Sequence, residues 1–432
     1  VVAKVVLMAH NAWSMGDAIA RTLYRLAVSR RHMLEWRTAS AAARSGERSL
    51  AGHYRVMAGV LPIAAAGLAI PFASGSTGAF VAAIFTLLWA ASPAFAWFVS
   101  RSAETEDRLE VAPGDAIALR RMARRTWLYF ETFVTAEHNM LPPDNFQEVP
   151  EPVVAPRTSP TNIGVYMLST VSARDFGWIS LAEAIERMEK TLATIETMDR
   201  FRGHLYNWYD TRTLKPLHPY YVSSVDSGNL AGHLVAVAGA CDEWAAAPAA
   251  HLQGDFEGIL DAAAILEETL EALPDDRRPL RPLRKRLSER VEGLCRAVET
   301  IRREPETASF RAFNLTVLAA DIRKLAKALD EETGSPASGD LALWSERLEK
   351  ACEAHLSDAH VEEGGVGRLR NRLTALRERA RRFAFEMDFA FLMREDRKLL
   401  SIGYRMEEHQ LDEACYDLLA SEARLTSLFA VA

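Results

Sequence analysis

Ser180-Leu-Ala-Glu-Ala-Ile-Glu-Arg-Met-Glu-Lys-Thr-Leu-Ala-Thr-Ile195 carries both the start signal and the periodicity of an amphipathic helix. Ser180 and Glu183 form a capping box, in which each side chain can satisfy a backbone N–H that the first helical turn leaves unpaired. Ile185, Met188, Leu192 and Ile195 then recur on one face. The same spacing predicts helices upstream over 115–138 and downstream over 227–245, 255–273, 282–303, 309–331, 340–355, 367–387 and 411–430. Pro274-Asp-Asp, Pro305, Gly334-Ser-Pro and Gly364-Gly365 punctuate them. Strand-like pieces are few: Phe389 to Met393 and Leu399 to Tyr404 flank Arg394-Glu-Asp-Arg-Lys398 as a hairpin would. The fold class is therefore mainly α. Many antiparallel helices with polar loops at one end point to an α/α barrel or toroid. The charge-rich stretch of about 250–380 reads as an inserted helical layer with solvated charged faces.

Hydrophobicity is distributed unevenly along the 432 residues. From Val56 to Ser100 there is no charged side chain. Crossing a hydrocarbon core takes roughly 20 helical residues, so Val56 to Ala73 and Ala79 to Val99 read as a transmembrane hairpin. A buried soluble hairpin is the alternative, because Ala and Gly dilute the apolar character. Arginines at 21, 25, 30, 31, 37, 44, 48 and 55 precede the first span, and those at 101, 120, 121, 124 and 125 follow the second. Under the positive-inside rule both ends face the cytoplasm. Residues 1–60 carry nine Lys+Arg against three Asp+Glu although the whole chain has a formal charge of −7. Residues 1–54 thus form a basic, membrane-proximal segment, 55–100 the hairpin, and 101–432 an acidic soluble domain. Trp13, Leu23, Leu26, Met33 and Trp36 alternate with the arginines as in a helix lying among lipid headgroups; docking on protein is the other reading. The acidic domain has no basic stripe for nucleic acid. Cys241, Cys295, Cys352 and Cys415 are too widely spaced for a zinc site or a disulfide framework and read as free thiols in a reducing compartment. No cleavable signal peptide is read at the N-terminus, and the chain reads as cut from a longer one.

Four segments are richer in polar and aromatic residues than a core requires: Leu141-Pro-Pro-Asp-Asn-Phe-Gln-Glu148, Ser159-Pro-Thr-Asn-Ile-Gly164, Gly203-His-Leu-Tyr-Asn-Trp-Tyr-Asp210 and Tyr221-Val-Ser-Ser-Val-Asp-Ser-Gly-Asn-Leu230. A pyranose presents hydroxyls at its rim and C–H bonds on its faces, so carboxylates, carboxamides and flat rings on loops suit a carbohydrate cleft. The candidate binding residues are Asp144, Asn145, Gln147, Trp208, Tyr209, Asp210, Tyr221, Asp226 and Asn229, with Trp208 and Tyr209 as a stacking platform. Asp226 and Ser227 also suit a helix N-cap, and Asp144 and Asn145 a turn. In the predicted terminal helix Glu422 falls on the apolar stripe of Leu411, Cys415, Leu418, Leu425 and Phe429. An enclosed carboxyl favours its neutral form, as a general acid requires; a buried Glu paired with Arg405 or Arg424 fits the spacing equally. Phosphate-binding Gly-Lys loops, His-Glu-x-x-His, Gly-x-Ser-x-Gly and the Asp-x-Asp metal motif are absent from the sequence. No metal or cofactor is therefore expected in this chain.

These four segments, together with Met387-Asp-Phe389, Ser401-Ile-Gly-Tyr404 and Leu411 to Leu425, resemble the cyclic β-1,2-glucan synthase family. Asp17-Ala-Ile-Ala-Arg-Thr-Leu-Tyr-Arg25 and Ser29-Arg-Arg-His-Met-Leu-Glu-Trp36 are similar to the segment before that family's last membrane spans. The resemblance implies a multi-pass bacterial inner-membrane enzyme with its soluble part in the cytoplasm. An N-terminal glycosyltransferase polymerises UDP-glucose, a middle (α/α)6-barrel transglycosylase closes linear β-1,2-glucan into rings with retention, and a C-terminal phosphorylase-like domain trims it. This chain would hold the last membrane helices and an incomplete, glycosidase-like barrel. By the same resemblance Glu422 matches the general acid/base, and the nucleophile is expected beyond Ala432. The partners implied are β-1,2-glucan, the bilayer and the two other domains. A β-1,2-glucan hydrolase or phosphorylase, or a noncatalytic glucan-holding scaffold, are the competing functions.

Overall fold

The computed structural model describes residues 2–29, 49–73, 78–100, 111–248, 256–273, 278–304, 308–359, 363–416 and 423–431. They divide into two compact units, residues 1–110 and 111–432.

In the first unit, helices α1 (Val2–Val6), α2 (Met8–Tyr24), α3 (Leu50–Val56), α4 (Val60–Ala73), α5 (Ala79–Ala90) and α6 (Ser92–Val99) follow one another. The two long straight spans expected from the charge-free run are replaced by bent pairs. The α3–α4 pair bends by 71° and the α5–α6 pair by 42°, and among the described residues no single helix is long and apolar enough to cross a membrane. Proline supplies the reason: its ring clashes with the carbonyl four residues earlier, and it lacks the N–H that would bond there. Pro62 and Pro93 point back to Ala58 and Trp89, and the breaks fall at 57–59 and 91. Pro93 lies in the first turn of α6, where proline is tolerated. Gly59 is needed because a Cβ there would run into the Trp13 indole of α2. The Trp89 indole donates to the Val5 carbonyl at 3.2 Å, tying α1 to the hairpin. Ile19, Leu23, Tyr24 and Leu26 remain exposed on α2 and the turn after it. Met33, Trp36 and the arginines from 30 to 48 lie outside the described residues.

The second unit holds two hydrophobic cores. Helices α7 (Pro113–Phe133), α8 (Pro160–Asp175), α9 (Leu181–Thr197), α10 (Ser224–Ala246) and α15 (Glu363–Phe385) enclose the first, with Trp127, Tyr166, Met188, Leu192, Leu234, Leu373 and Phe383 inside. The Ser180 half of the α9 capping box forms, the Glu183 N–H donating to Ser180 Oγ at 3.0 Å, while the Glu183 carboxylate takes Arg187 Nε at 2.8 Å. Helix α8 was not anticipated, because Ser159-Pro-Thr-Asn reads as a polar loop; Ser159 is its N-cap and Pro160 sits in its first turn.

Helices α11 (Glu257–Glu271), α12 (Arg281–Arg303), α13 (Ala308–Thr333) and α14 (Pro336–Ala359) build the second core as a closed four-helix bundle. Buried Leu287, Val291, Leu294, Val298 and Ile301 in α12 alternate steps of four and three, as knobs-into-holes packing requires. The bundle takes up 257–359 of the stretch of about 250–380 read as a helical layer, and α15 packs on α10 and α9. Polar contacts join the bundle to the first core. Asp261 accepts from Arg120 Nη2 at 2.8 Å and from the Trp178 indole at 2.9 Å. Arg124, 1% exposed, pairs with Glu131 of its own helix at 3.1 Å, and Glu131 in turn pairs with Arg347 of α14 at 3.7 Å. Asp358 accepts the Leu181 N–H at 3.1 Å and so caps α9 from another helix.

Among the described residues sheet structure is limited to short ladders. Strands β1 (Phe146–Gln147) and β2 (Val153–Val154) pair, as do β3 (Arg157–Thr158) with β6 (Tyr209–Asp210) and β4 (Arg200–Phe201) with β5 (His204–Leu205). The hairpin read around Arg394 is β8 (Met393–Arg394) with β9 (Leu399–Leu400). Strand β7 (Tyr221–Ser223) pairs with β10 (Gly403–Arg405), whose other edge takes β11 (Gln410–Leu411). This corrects the expected helix over 411–430. The backbone of 411–415 is spent on the sheet, with the Asp412 N–H on the Gly403 carbonyl and the Ile402 N–H on the Ala414 carbonyl. Among the described residues of that stretch only α16 (Arg424–Val431) is helical, so Leu411 and Cys415 do not share a helical stripe with Phe429. All four cysteines are free, and burial pushes the Cys241 thiol up to about 12.

Candidate functional site

Two helix starts lie side by side. Ser159 Oγ accepts the Asn162 N–H at 3.2 Å to start α8, and Ser223 Oγ accepts the Asp226 N–H at 3.2 Å to start α10. Because α8 packs on α10, Thr161 meets Asp226 and Asn229. The β3–β6 ladder sets Arg157 opposite Asp210, next to Trp208. The Asn207 N–H donates to the Tyr221 carbonyl at 2.7 Å, which brings the third polar segment against the fourth.

The side chains close a ring around two carboxylates. Asp226 Oδ1 accepts from the Thr161 hydroxyl at 2.6 Å, and that hydroxyl accepts from Asn229 Nδ2 at 3.2 Å. The neighbours of Asn207 orient its amide: the nitrogen donates to Asp226 Oδ2 at 3.1 Å and the oxygen accepts from the Trp208 indole at 3.2 Å. Arg157 lies over the Trp208 ring, 4.7 Å from its centroid. The same guanidinium holds Asp144 Oδ2 through Nε at 3.1 Å and Nη2 at 2.9 Å. Asn145 Nδ2 reaches Asp144 Oδ2 at 3.0 Å, and Asn162 Nδ2 reaches Oδ1 at 3.3 Å. Asn162 follows Thr161 in sequence, so the circuit returns to Asp226.

The surroundings fix the protonation of two phenols. Tyr129 donates to the Pro143 carbonyl at 2.8 Å, and burial, aided by the Asp144 charge, pushes it up to about 12. Burial, followed by Asp412, raises Tyr221 further still, against the opposing Arg405. Both therefore remain protonated donors at neutral pH. The Tyr221 ring lies across Gly403, where any Cβ would overlap it. Among the described residues no cluster of three or more His, Cys, Asp or Glu could hold a metal ion. The arrangement offers fixed carboxylate and amide groups around an indole face, which is the chemistry of hydroxyl recognition rather than of bond cleavage.

The structure sorts the residues singled out in the sequence. Asp144, Asn145, Trp208, Asp226 and Asn229 join the ring, and Tyr221 stands beside it. Gln147 is exposed on β1 and takes no part in the ring. Tyr209 is fully buried, its hydroxyl accepting the Tyr206 N–H at 2.8 Å and donating to the Asp199 carbonyl at 2.5 Å. It supports the loop from beneath and offers no second stacking face. Asp210 Oδ1 accepts the N–H groups of Arg212 at 2.9 Å and Thr213 at 2.8 Å, closing a turn. Glu422 lies outside the described residues. Arg405, considered as its partner, pairs with Glu408 and Asp412, each at 3.1 Å. Helix α16, which starts two residues after Glu422, is seated on the first turns of α10. The Thr426 hydroxyl donates to the Ser224 carbonyl at 2.7 Å, and Gly228 and Gly232 give room for Thr426 and Leu425.

Arg157, Thr161, Asn162 and Asn207 were missed as site residues. Three of them lie inside the polar segments already marked. Arg157 carries no local signal, since only the β3–β6 ladder brings it to Trp208.

Residues 121–229 match the family described as Protein of unknown function (DUF3131). Every member of the ring falls inside that range; Glu422 does not. Over 429 residues, 99% of its length, the chain is 57% identical to Cyclic beta-(1,2)-glucan synthase NdvB of Rhizobium meliloti (strain 1021). It spans 15% of the length of that relative.

Proposed function

We propose that this chain, homologous along nearly all its length to a segment of a cyclic β-(1,2)-glucan synthase, holds linear β-1,2-glucan and takes part in closing it into a ring. The observation that carries the proposal is the ring of Asp144, Arg157, Asn162, Thr161, Asp226, Asn207 and Trp208. Four separate segments build it, and its carboxylates, amides, hydroxyl and indole can each engage a hydroxyl or the flat face of a sugar. Both carboxylates already accept two or more hydrogen bonds, which suits anions that hold hydroxyls better than a nucleophile.

Glu422 is the proposed general acid/base. Its support is the docking of α16 on the turns of α10 that carry Asp226. Retaining transfer needs a second carboxylate about 5 Å away, and that role we assign to a residue outside this chain. The second carboxylate attacks an internal anomeric carbon while Glu422 donates a proton to the departing sugar oxygen. The 2-hydroxyl of the glucan's nonreducing end then displaces the enzyme carboxylate and gives its proton to Glu422, restoring both groups. Helices α8, α9, α10 and α15 would be part of an (α/α)6 barrel. The bent apolar pairs of the first unit would anchor it in a bacterial inner membrane with both ends cytoplasmic, beside polymerising and phosphorylase-like domains.

The test is product analysis of the full-length enzyme carrying Glu422→Gln, in membranes supplied with UDP-glucose. Linear β-1,2-glucan accumulating without rings is the expected result. An unchanged yield of rings removes Glu422 from the cyclising step.

A further inference from the structure

Two recognition groups of the proposed glucan site, the Trp208 face and the Asp144 carboxylate, are covered by one side chain. The Arg157 guanidinium lies 4.7 Å from the Trp208 ring centroid and donates twice to Asp144 Oδ2. Arg157 is 50% exposed and Asp144 only 18%, so the guanidinium sits on the solvent side of the carboxylate. A pyranose cannot stack on an indole face that a cation already occupies, and a sugar hydroxyl aimed at Asp144 Oδ2 meets an oxygen already holding Arg157 and Asn145.

We infer that Arg157 is a displaceable cover of the glucan site, closed over Trp208 and Asp144 in the free protein and swung aside by the incoming chain. The inference rests on the carbohydrate reading of the site and adds its regulation. The contacts are weak enough to be displaced, since an exposed cation–π pair and an exposed ion pair each hold by no more than about a factor of five. Arg157 also has room to move, being the half-exposed member of the pair, whereas Asp144 is kept in place by Asn145 and Asn162. A cover of this kind makes affinity for a neutral sugar depend on salt. Screening weakens the Arg157–Asp144 attraction and so favours the open form, whereas a neutral ligand has no charge of its own to be screened.

The experiment is calorimetric titration of the chain in detergent with a linear β-1,2-glucan oligomer, at low and high ionic strength. Wild type, Arg157→Ala, Arg157→Gln and Trp208→Ala are compared. Arg157→Ala and Arg157→Gln are expected to bind roughly three- to thirty-fold more tightly than wild type at low salt. Wild-type affinity rises with ionic strength, while that of the two variants stays flat. Weaker binding by both Arg157 variants makes Arg157 a glucan-holding group and overturns the cover, as does a salt-independent wild type. Absence of glucan binding by every form, Arg157 variants included, removes the carbohydrate reading itself and the cover with it.

Discussion

Replacing Gly228 by alanine tests whether α16 is seated on α10 as described. A Cβ built on Gly228 would lie 2.5 Å from the Thr426 backbone nitrogen and 2.6 Å from its Cα. These are main-chain atoms, so no rotamer change relieves the overlap and the whole of α16 must shift. Forcing atoms into a filled contact costs about 1–3 kcal/mol. Losing the Thr426–Ser224 hydrogen bond, 2.7 Å long, adds about 1 kcal/mol. Alanine's better helix propensity returns about 1 kcal/mol, leaving a net loss of roughly 1–3 kcal/mol. Gly239 in the same helix is exposed and has nothing within 4 Å of its Cβ position. Gly239→Ala therefore keeps only the propensity gain and should stabilise the chain by about 0.5–1 kcal/mol. Urea unfolding followed by far-UV circular dichroism measures both, and amide exchange over 423–431 reports whether α16 has lifted. If Gly228→Ala is as stable as Gly239→Ala, with 423–431 still protected, the docking of α16 is wrong and the support for Glu422 goes with it.

Two further substitutions probe buried polar groups. Burial pushes the Asp358 carboxyl from 3.8 up to about 7, even though the Leu181 N–H favours its anion. The folded chain thus binds this proton more tightly than the unfolded one. Its contribution is complete below pH 4 and is lost as pH rises through about 7. Asp358→Asn keeps an acceptor for Leu181 and does not titrate, so its stability relative to wild type should rise steadily across that window; parallel pH profiles would refute the assignment. Tyr209→Phe leaves the Tyr206 N–H and the Asp199 carbonyl without the hydroxyl that joins them. The expected cost is roughly 1–3 kcal/mol in unfolding experiments, and an unchanged midpoint would return Tyr209 to the exposed rings.

Helix content was legible because it is a local property. Ile185, Met188, Leu192 and Ile195 repeat at the helical period, and all four are fully buried in α9. The heptad steps of the bundle were likewise written in α12 and α13. Pro62 and Pro93 stand just after the two breaks, but Pro71 lies inside α4 without one, so the prolines did not by themselves say where the charge-free run bends. The region around 411 failed for the opposite reason. Its apolar spacing is helical, but β10 offers the backbone a sheet partner, and pairing across the fold outweighs a weak local preference.

The sequence by itself determined which residues were chemically able to form a polar site, because carboxylates, amides and indoles in excess of core needs are visible without coordinates. Tertiary structure alone decided which of them meet. Tyr209, the first residue of β6, is sealed in the core, while its chain neighbour Trp208, just before the strand, faces Arg157. Asp144 and Asp226 are far apart in sequence and join one circuit only because α8 and α10 start side by side. Residue type is carried by the chain, whereas proximity arises from the packing of helices whose buried faces are remote from the site they position.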